Sequence, residues 1–121
     1  MAKAPAKILI VDDEINIREA LAAILEGEDY SVAAVASVEE AMSRLGEDFF
    51  QVVISDMRMG GGSGMDLLRW MREHCPETEM ILLTAYGSVE DAVEAMKLGA
   101  YDYLSKPVDR RRLSLLIGKY L

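Results

Sequence analysis

The sequence contains one cysteine, one histidine and fewer basic than acidic residues. Because Cys75 has no second thiol to pair with, an intramolecular disulfide is excluded, and the chain fits a reducing compartment. His74 has no accompanying residues that would indicate a metal or catalytic site. The formal net charge of −8 argues against a nucleic-acid-binding surface, since neutralising phosphates requires a basic footprint. We therefore expect proteins and cations as direct partners.

Long apolar segments are also absent. No apolar run approaches the roughly 18 residues of a membrane span, and residues 1–7 lack the apolar segment of a secretory signal. We therefore expect a cytoplasmic protein with no membrane contact. The 121 residues, 51% of them hydrophobic, are enough for one domain with its own core. We expect a disordered lead over residues 1–6, where Ala and Pro dominate, and a single domain over residues 7–121.

Apolar strand-like runs alternate with amphipathic helical patterns five times along the chain. The predicted strands are residues 7–11, 30–35, 49–56, 80–84 and 101–105. The predicted helices are residues 15–26, 37–45 and 65–74, one that follows Ser88 and ends at Gly99, and one that follows Asp109. In the fourth helix, the spacing predicts a buried face of Val89, Ala92, Val93 and Met96. Such alternation predicts an α/β fold: a doubly wound five-stranded parallel sheet in the flavodoxin-like order 2-1-3-4-5, with helices on both faces.

Polar residues stand where four of the predicted strands end. Asp12 and Asp13 follow the first strand, Asp56 ends the third, Thr84 ends the fourth and Lys106 follows the fifth. In this strand order the acidic pair and Asp56 lie about one strand spacing apart, near 5 Å, where two carboxylates repel by roughly 3 kcal/mol at an effective dielectric of about 20. A hard divalent cation such as Mg²⁺ would offset that repulsion. With the hydroxyl and the ammonium, the cluster predicts a slot for a phosphoryl group at Asp56.

From Lys7 to Leu121, the chain resembles a response-regulator receiver domain of two-component signalling. The matching residues are Asp12, Asp13, Asp56, Thr84, Ala85, Tyr103, Lys106 and Pro107. The resemblance implies that Asp56 accepts phosphate from a sensor histidine kinase. It further implies that Asp12, Asp13 and the Arg58 carbonyl help Asp56 to hold Mg²⁺.

The same resemblance implies the conformational response. Thr84 and Lys106 would bind the phosphoryl oxygens, while Thr84 and Tyr103 would act as switch residues. The surface of the fourth helix, fifth strand and fifth helix would change and control a downstream effector domain or protein, with a phosphorylation-dependent dimer as one outcome. Such a domain is not an enzyme beyond catalysing its own phosphorylation and dephosphorylation. We expect Arg58 and Tyr86, each two residues beyond a site residue, to modulate hydrolysis, with Tyr86 shielding the acyl phosphate from water.

Residues 56–59, Asp-Met-Arg-Met, are similar to the subgroup that precedes ATPase-type transcriptional activators. The sequence given carries no such module, so it is either a stand-alone regulator or a part from which the rest was removed. The chain departs from the subgroup at residues 60–64, which read Gly-Gly-Gly-Ser-Gly instead of Pro, any residue, Met, Asp, Gly. Because loss of proline and gain of glycine enlarge the unfolded ensemble, we expect a looser loop around the Arg58 ligand.

Two other classes share parts of this pattern. A flavodoxin-like mononucleotide binder would need small hydroxyl and glycine residues after the first strand, where Asp12 and Asp13 would repel a phosphate. A haloacid-dehalogenase-like phosphohydrolase would need an acid two residues beyond its nucleophile, where Arg58 stands. A phosphate-cradling glycine loop at residues 60–64 lacks the Lys-Ser or Lys-Thr that should follow it.

We also expect a cis peptide before Pro107, where the chain reverses after the last strand.

Overall fold

The computed structural model describes residues 5–60, 62–84 and 89–120, and within these ranges the chain forms seven strands and five helices. The strands are β1 (Lys7–Val11), β2 (Ser31–Val35), β3 (Val52–Asp56), β4 (Arg58–Met59), β5 (Gly62–Ser63), β6 (Glu79–Thr84) and β7 (Asp102–Ser105). The helices are α1 (Ile15–Glu26), α2 (Val38–Glu47), α3 (Gly64–His74), α4 (Val89–Lys97) and α5 (Arg110–Tyr120). None of these helices has the length and apolar character that a membrane span requires.

Five strands form one parallel sheet in the order β2-β1-β3-β6-β7, which confirms the predicted fold class. The register aligns the carboxyl ends of the strands. Val11 lies beside Ser55, Asp56 beside Leu83, and Thr84 beside Ser105. The residues that end these strands therefore meet at one edge of the sheet.

The sheet separates two apolar cores, one on each face. Alternate residues of β1 divide between them: Leu9 and Val11 pack with α2 and α3, while Ile8 and Ile10 pack with α1 and α5. Every residue of β3 is buried. Burial on both faces explains why these strands read as continuous apolar runs, as is typical of parallel sheets.

The predicted buried face of α4 is confirmed for Ala92 and wrong for its other three residues. Val89, Val93 and Met96 are exposed, by 71%, 49% and 44%, whereas Ala92 and Ala95 are buried. Both sets have helical spacing, so the pattern alone does not decide which of them faces the sheet. The two alanines have the smaller side chains and allow α4 to approach the sheet closely, which turns the larger side chains outward.

The loop after β3 contains a short hairpin that the sequence pattern did not predict. β4 and β5 pair antiparallel, with Arg58 opposite Ser63 and Met59 opposite Gly62. The Ser63 hydroxyl then accepts a hydrogen bond from Asp66 N and caps α3, as serine commonly does at a helix start. Gly64 opens α3 so close to β3 that an added Cβ would lie 2.5 Å from the Asp56 carbonyl oxygen. Only glycine fits this position without movement of the backbone.

The chain ends of the predicted domain are partly outside the described residues. Residues 1–4 of the predicted lead are not described, and the Ala6 carbonyl accepts a hydrogen bond from Ser31 N at 2.9 Å. Ser88, which the fourth predicted helix follows, and Leu121 also lie outside the described residues. The peptide bond between Lys106 and Pro107 is cis, as predicted.

Candidate functional site

Three carboxylates form a cluster at the carboxyl edge of the sheet. Asp12 and Asp13 follow β1 and Asp56 ends β3, and each offers an oxygen within 4.8 Å of the others. Asp12 is fully buried, Asp56 is 7% exposed and Asp13 lies at the surface. The strand order brings these residues together, as the sequence predicts.

The buried carboxylate of Asp12 is only partly satisfied. Its Oδ1 accepts a hydrogen bond from Glu14 N at 2.9 Å, while its Oδ2 has no hydrogen-bond partner among the described residues and faces the Lys106 ammonium at 3.5 Å. A buried oxygen without a donor is costly unless a cation offsets its charge. Three carboxylates with such an oxygen fit a hard divalent cation, and Mg²⁺ in particular prefers oxygen ligands.

Lys106 brings a positive charge to the cluster from the end of β7. Its Nζ lies 3.0 Å from Asp56 Oδ2 and 3.5 Å from Asp12 Oδ2. Burial alone would lower the pKa of Lys106, but the hydrogen bond and charge of Asp56, together with Asp12, outweigh burial and raise the pKa. The ammonium therefore stays charged at neutral pH.

Asp56 has a pKa above the ordinary carboxyl value. Burial is the largest cause, and the nearby charge of Asp12 adds to it. The hydrogen bond and the charge of Lys106 lower the pKa without fully offsetting these effects. Both partners of this pair have raised pKa values, because burial and the charge of Asp12 act on Asp56 while two carboxylates act on Lys106.

Thr84 and Tyr103 lie on neighbouring strands with different exposure. The Thr84 side chain is buried, and its hydroxyl donates a long hydrogen bond of 3.5 Å to the Leu104 carbonyl. Tyr103 is 37% exposed and lines an open groove against α4 with Val89, Ala92, Val93, Met96 and Lys97. The two predicted switch residues are thus a buried hydroxyl at the site edge and a ring at the surface.

Arg58 connects the site with α4. Its backbone N–H donates a long hydrogen bond of 3.4 Å to Asp56 Oδ1, and its guanidinium pairs with Asp91 at 3.1 Å. The sequence pattern does not indicate the second contact, because Asp91 is 33 residues away and reads as a first-turn helix residue. The Arg58 carbonyl remains a predicted metal ligand. Tyr86, predicted to modulate hydrolysis, lies outside the described residues, as does Ala85.

One further contact within the cluster was not predicted. The backbone N–H of Gly60, in the turn between β4 and β5, donates to Asp13 Oδ2 at 3.1 Å. A backbone donor has no side-chain signature, so residue types alone could not have revealed it. It joins the glycine-rich segment directly to the carboxylate cluster.

Comparison with known proteins agrees with this arrangement. Residues 8–117 match the family described as the response regulator receiver domain. The chain is 41% identical over 115 residues to the response regulator protein PilR of Pseudomonas aeruginosa, covering 95% of this chain and 26% of that protein. It is 40% identical over 114 residues to the transcriptional regulatory protein ZraR of Escherichia coli, covering 94% of this chain and 26% of that protein. The chain thus spans about a quarter of the length of these curated relatives.

Solved structures show the same fold. A response regulator receiver domain protein from Clostridium thermocellum has a TM-score of 0.90 at 38% identity, covering 95% of this chain and 93% of that one. The beryllofluoride-activated NtrC4 receiver domain, solved as a dimer, has a TM-score of 0.89 at 38% identity, covering 94% of each chain.

Proposed function

The chain belongs to the response regulator receiver domain family of two-component systems, and on this basis we propose that Asp56 accepts a phosphoryl group from a sensor histidine kinase. Receiver domains are regulatory switches and not classical enzymes. The single observation that carries the proposal is the position of Asp56, a nearly buried carboxylate at the sheet edge with Lys106 Nζ 3.0 Å away. An anion transferred to Asp56 would therefore arrive beside a fixed positive charge.

The transfer reaction requires a nucleophile and charge compensation. A carboxylate oxygen of Asp56 attacks the phosphorus, the P–N bond to the kinase histidine breaks, and the imidazole leaves with the electron pair. Lys106 and Thr84 bind the phosphoryl oxygens of the product. Asp12, Asp13, Asp56 and the Arg58 carbonyl would hold Mg²⁺, which supplies positive charge against the incoming phosphoryl group. Arg58 and Tyr86 modulate the later hydrolysis of the acyl phosphate.

The response of the domain would begin at Thr84. Its hydroxyl leaves the Leu104 carbonyl, to which it donates a long hydrogen bond, and turns toward the phosphoryl oxygens. Tyr103 then changes rotamer, and the surface of α4, β7 and α5 changes with it. The exposed Val89, Val93 and Met96 give this surface an apolar patch that a protein partner could cover. The NtrC4 relative is a dimer in its activated form, and we propose a phosphorylation-dependent dimer here as well.

The partners follow from the relatives and from the charge of the chain. We further propose that residues 7–121 act as the receiver domain, in the cytoplasm, on a downstream effector domain or protein. ZraR is a transcriptional regulatory protein, and this chain covers 26% of its length, which supports an output in transcription through a part of the protein beyond the receiver domain. Binding to nucleic acid belongs to the effector, because the net charge of −8 opposes phosphate contacts by this domain.

Incubation with acetyl phosphate and Mg²⁺ followed by intact-mass measurement tests the proposal. The wild type should gain the mass of one phosphoryl group, and Asp56→Asn should gain none. Size-exclusion chromatography of the same samples tests dimerisation, with Asp56→Asn as the control. Equal phosphorylation of both proteins would exclude Asp56 as the acceptor.

A further inference from the structure

The turn between β4 and β5 contacts the carboxylate cluster at Asp13. Gly60 N donates to Asp13 Oδ2 at 3.1 Å, and within the described ranges this is the only hydrogen bond that the Asp13 side chain makes. Asp13 lies at the surface, where an unrestrained carboxylate would sample several rotamers. The hydrogen bond therefore restricts an otherwise mobile side chain.

The hairpin of β4 and β5 is itself held in place on two sides. Gly62, which pairs with Met59, packs so closely on α2 that an added Cβ would lie 3.1 Å from Val38 Cγ2. At the base of the hairpin, Gly64 N donates to the Met57 carbonyl at 2.9 Å. A hairpin fixed at its base and against α2 presents the Gly60 N–H from a defined position.

We propose that Gly60 is a positioning residue for the metal site. Its N–H holds one oxygen of Asp13 and leaves the other oxygen available to Mg²⁺, so that the carboxylate is oriented before the cation arrives. This inference rests on the proposed function, because it concerns the Mg²⁺ that Asp12, Asp13 and Asp56 would bind. Outer hydrogen bonds of this kind orient metal-ligating carboxylates and raise metal affinity.

Two substitutions at one position separate the donor from the side chain. Gly60→Pro removes the N–H, whereas Gly60→Ala retains it. Gly60 does not have a positive φ, and a Cβ there would lie 3.9 Å from Asp13 Oδ2, an ordinary contact, so alanine should fit. Calorimetric titration with MgCl₂ should give a dissociation constant about three- to tenfold higher for Gly60→Pro and within about twofold of wild type for Gly60→Ala.

The same pair in an Asp13→Ala background tests whether Gly60 acts through Asp13. There, the two Gly60 variants should bind Mg²⁺ equally. A difference that persists without the Asp13 carboxylate would overturn the inference, as would equal or tighter binding by Gly60→Pro in the wild-type background. If the wild type binds no Mg²⁺, the proposed metal site and this inference both fail, whereas equal binding by both variants refutes the inference alone.

A measurement on the metal-free protein tests the hydrogen bond between Gly60 and Asp13 even if Gly60→Pro does not fold. The Gly60 amide can be identified in a nitrogen-15 NMR spectrum as the glycine signal that disappears in Gly60→Ala. Its exchange with solvent should be slower in the wild type than in Asp13→Ala. An exchange rate that does not change on removal of the carboxylate would show that the hydrogen bond does not form.

Discussion

Lys106 Nζ lies 3.0 Å from Asp56 Oδ2, so the ammonium partly neutralises the carboxylate that we propose as the phosphoryl acceptor. The same ammonium lies 3.5 Å from Asp12 Oδ2. One positive charge thus faces a cluster of three negative ones in the metal-free protein. It stabilises the cluster and at the same time opposes the entry of a second cation.

Lys106→Met should therefore have opposite effects on stability and on metal affinity. Without metal, we expect the free energy of unfolding to fall by about 1–3 kcal/mol, less than for a fully buried pair because the lysine side chain is 23% exposed. The affinity for Mg²⁺ should rise by about three- to tenfold, since a competing charge is gone. Urea denaturation in EDTA and calorimetric titration measure the two effects, with Lys119→Met on the exposed face of α5 as the control. Weaker Mg²⁺ binding by Lys106→Met would contradict the charge argument.

Asp56→Asn should be at least as stable as the wild type in metal-free buffer at neutral pH. A carboxyl group whose pKa is raised by folding contributes stability below its unfolded pKa and loses it as the pH rises through the folded pKa. Ionised Asp56 therefore costs stability at pH 7, and asparagine removes that cost. Thermal unfolding in EDTA from pH 4 to pH 8 should show the advantage of the variant shrinking toward acid. Exposed Glu73→Gln serves as the control, and clear destabilisation of Asp56→Asn at neutral pH would refute this prediction.

Magnesium should stabilise the unphosphorylated protein, because it relieves the repulsion among Asp12, Asp13 and Asp56. Each tenfold increase in concentration above the dissociation constant should add about 1.4 kcal/mol to the free energy of unfolding. Asp13→Asn should reduce this response. The measurement is the melting temperature across a MgCl₂ series, with sodium chloride at matched ionic strength as the control. A melting temperature that does not change with the MgCl₂ concentration would argue against the metal site.

Gly64→Ala should destabilise the fold by about 1–3 kcal/mol, because a Cβ would lie 2.5 Å from the Asp56 carbonyl oxygen and 2.6 Å from Leu82 Cδ2. The displacement should also impair phosphorylation at Asp56. Gly46→Ala is the matched control: it lies within α2, nothing stands within 4 Å of the added Cβ, and alanine should stabilise the helix by about 0.5–1 kcal/mol. Urea denaturation measures the free energy of unfolding of both variants. If the backbone at Gly64 could relax freely, Gly64→Ala would not be less stable than Gly46→Ala.

The carboxylate cluster could be predicted from the sequence because it depends on topology. Once the alternation of strands and helices indicates a parallel sheet, Asp12 and Asp56 must meet at one edge. The Gly60 and Arg58 contacts could not be predicted in this way. The first uses a backbone N–H and the second a long side chain reaching Asp91 of α4, and neither leaves a periodic pattern.

The error on α4 has a different physical origin. The periodicity of a helix identifies apolar residues that share a face. When two faces are apolar, a prediction from hydrophobicity selects the face with the larger side chains. Here the smaller side chains, Ala92 and Ala95, are buried, and the exposed Val93 contributes little to the core. A contiguous apolar patch on a protein surface is more typical of an interaction site than of a contribution to the core.

The small buried face of α4 also affects how the native protein fluctuates. Among the described residues of α4, two alanines are buried, whereas α3 buries Met65, Leu67, Leu68 and Met71. Because the free energy of opening a segment follows the apolar contact that the segment loses, α4 should separate from the sheet more often than α3 does. Native-state hydrogen exchange should accordingly be faster for amides of α4 than for amides of α3. The helix that carries the exposed apolar patch should thus also detach at a lower cost than α3.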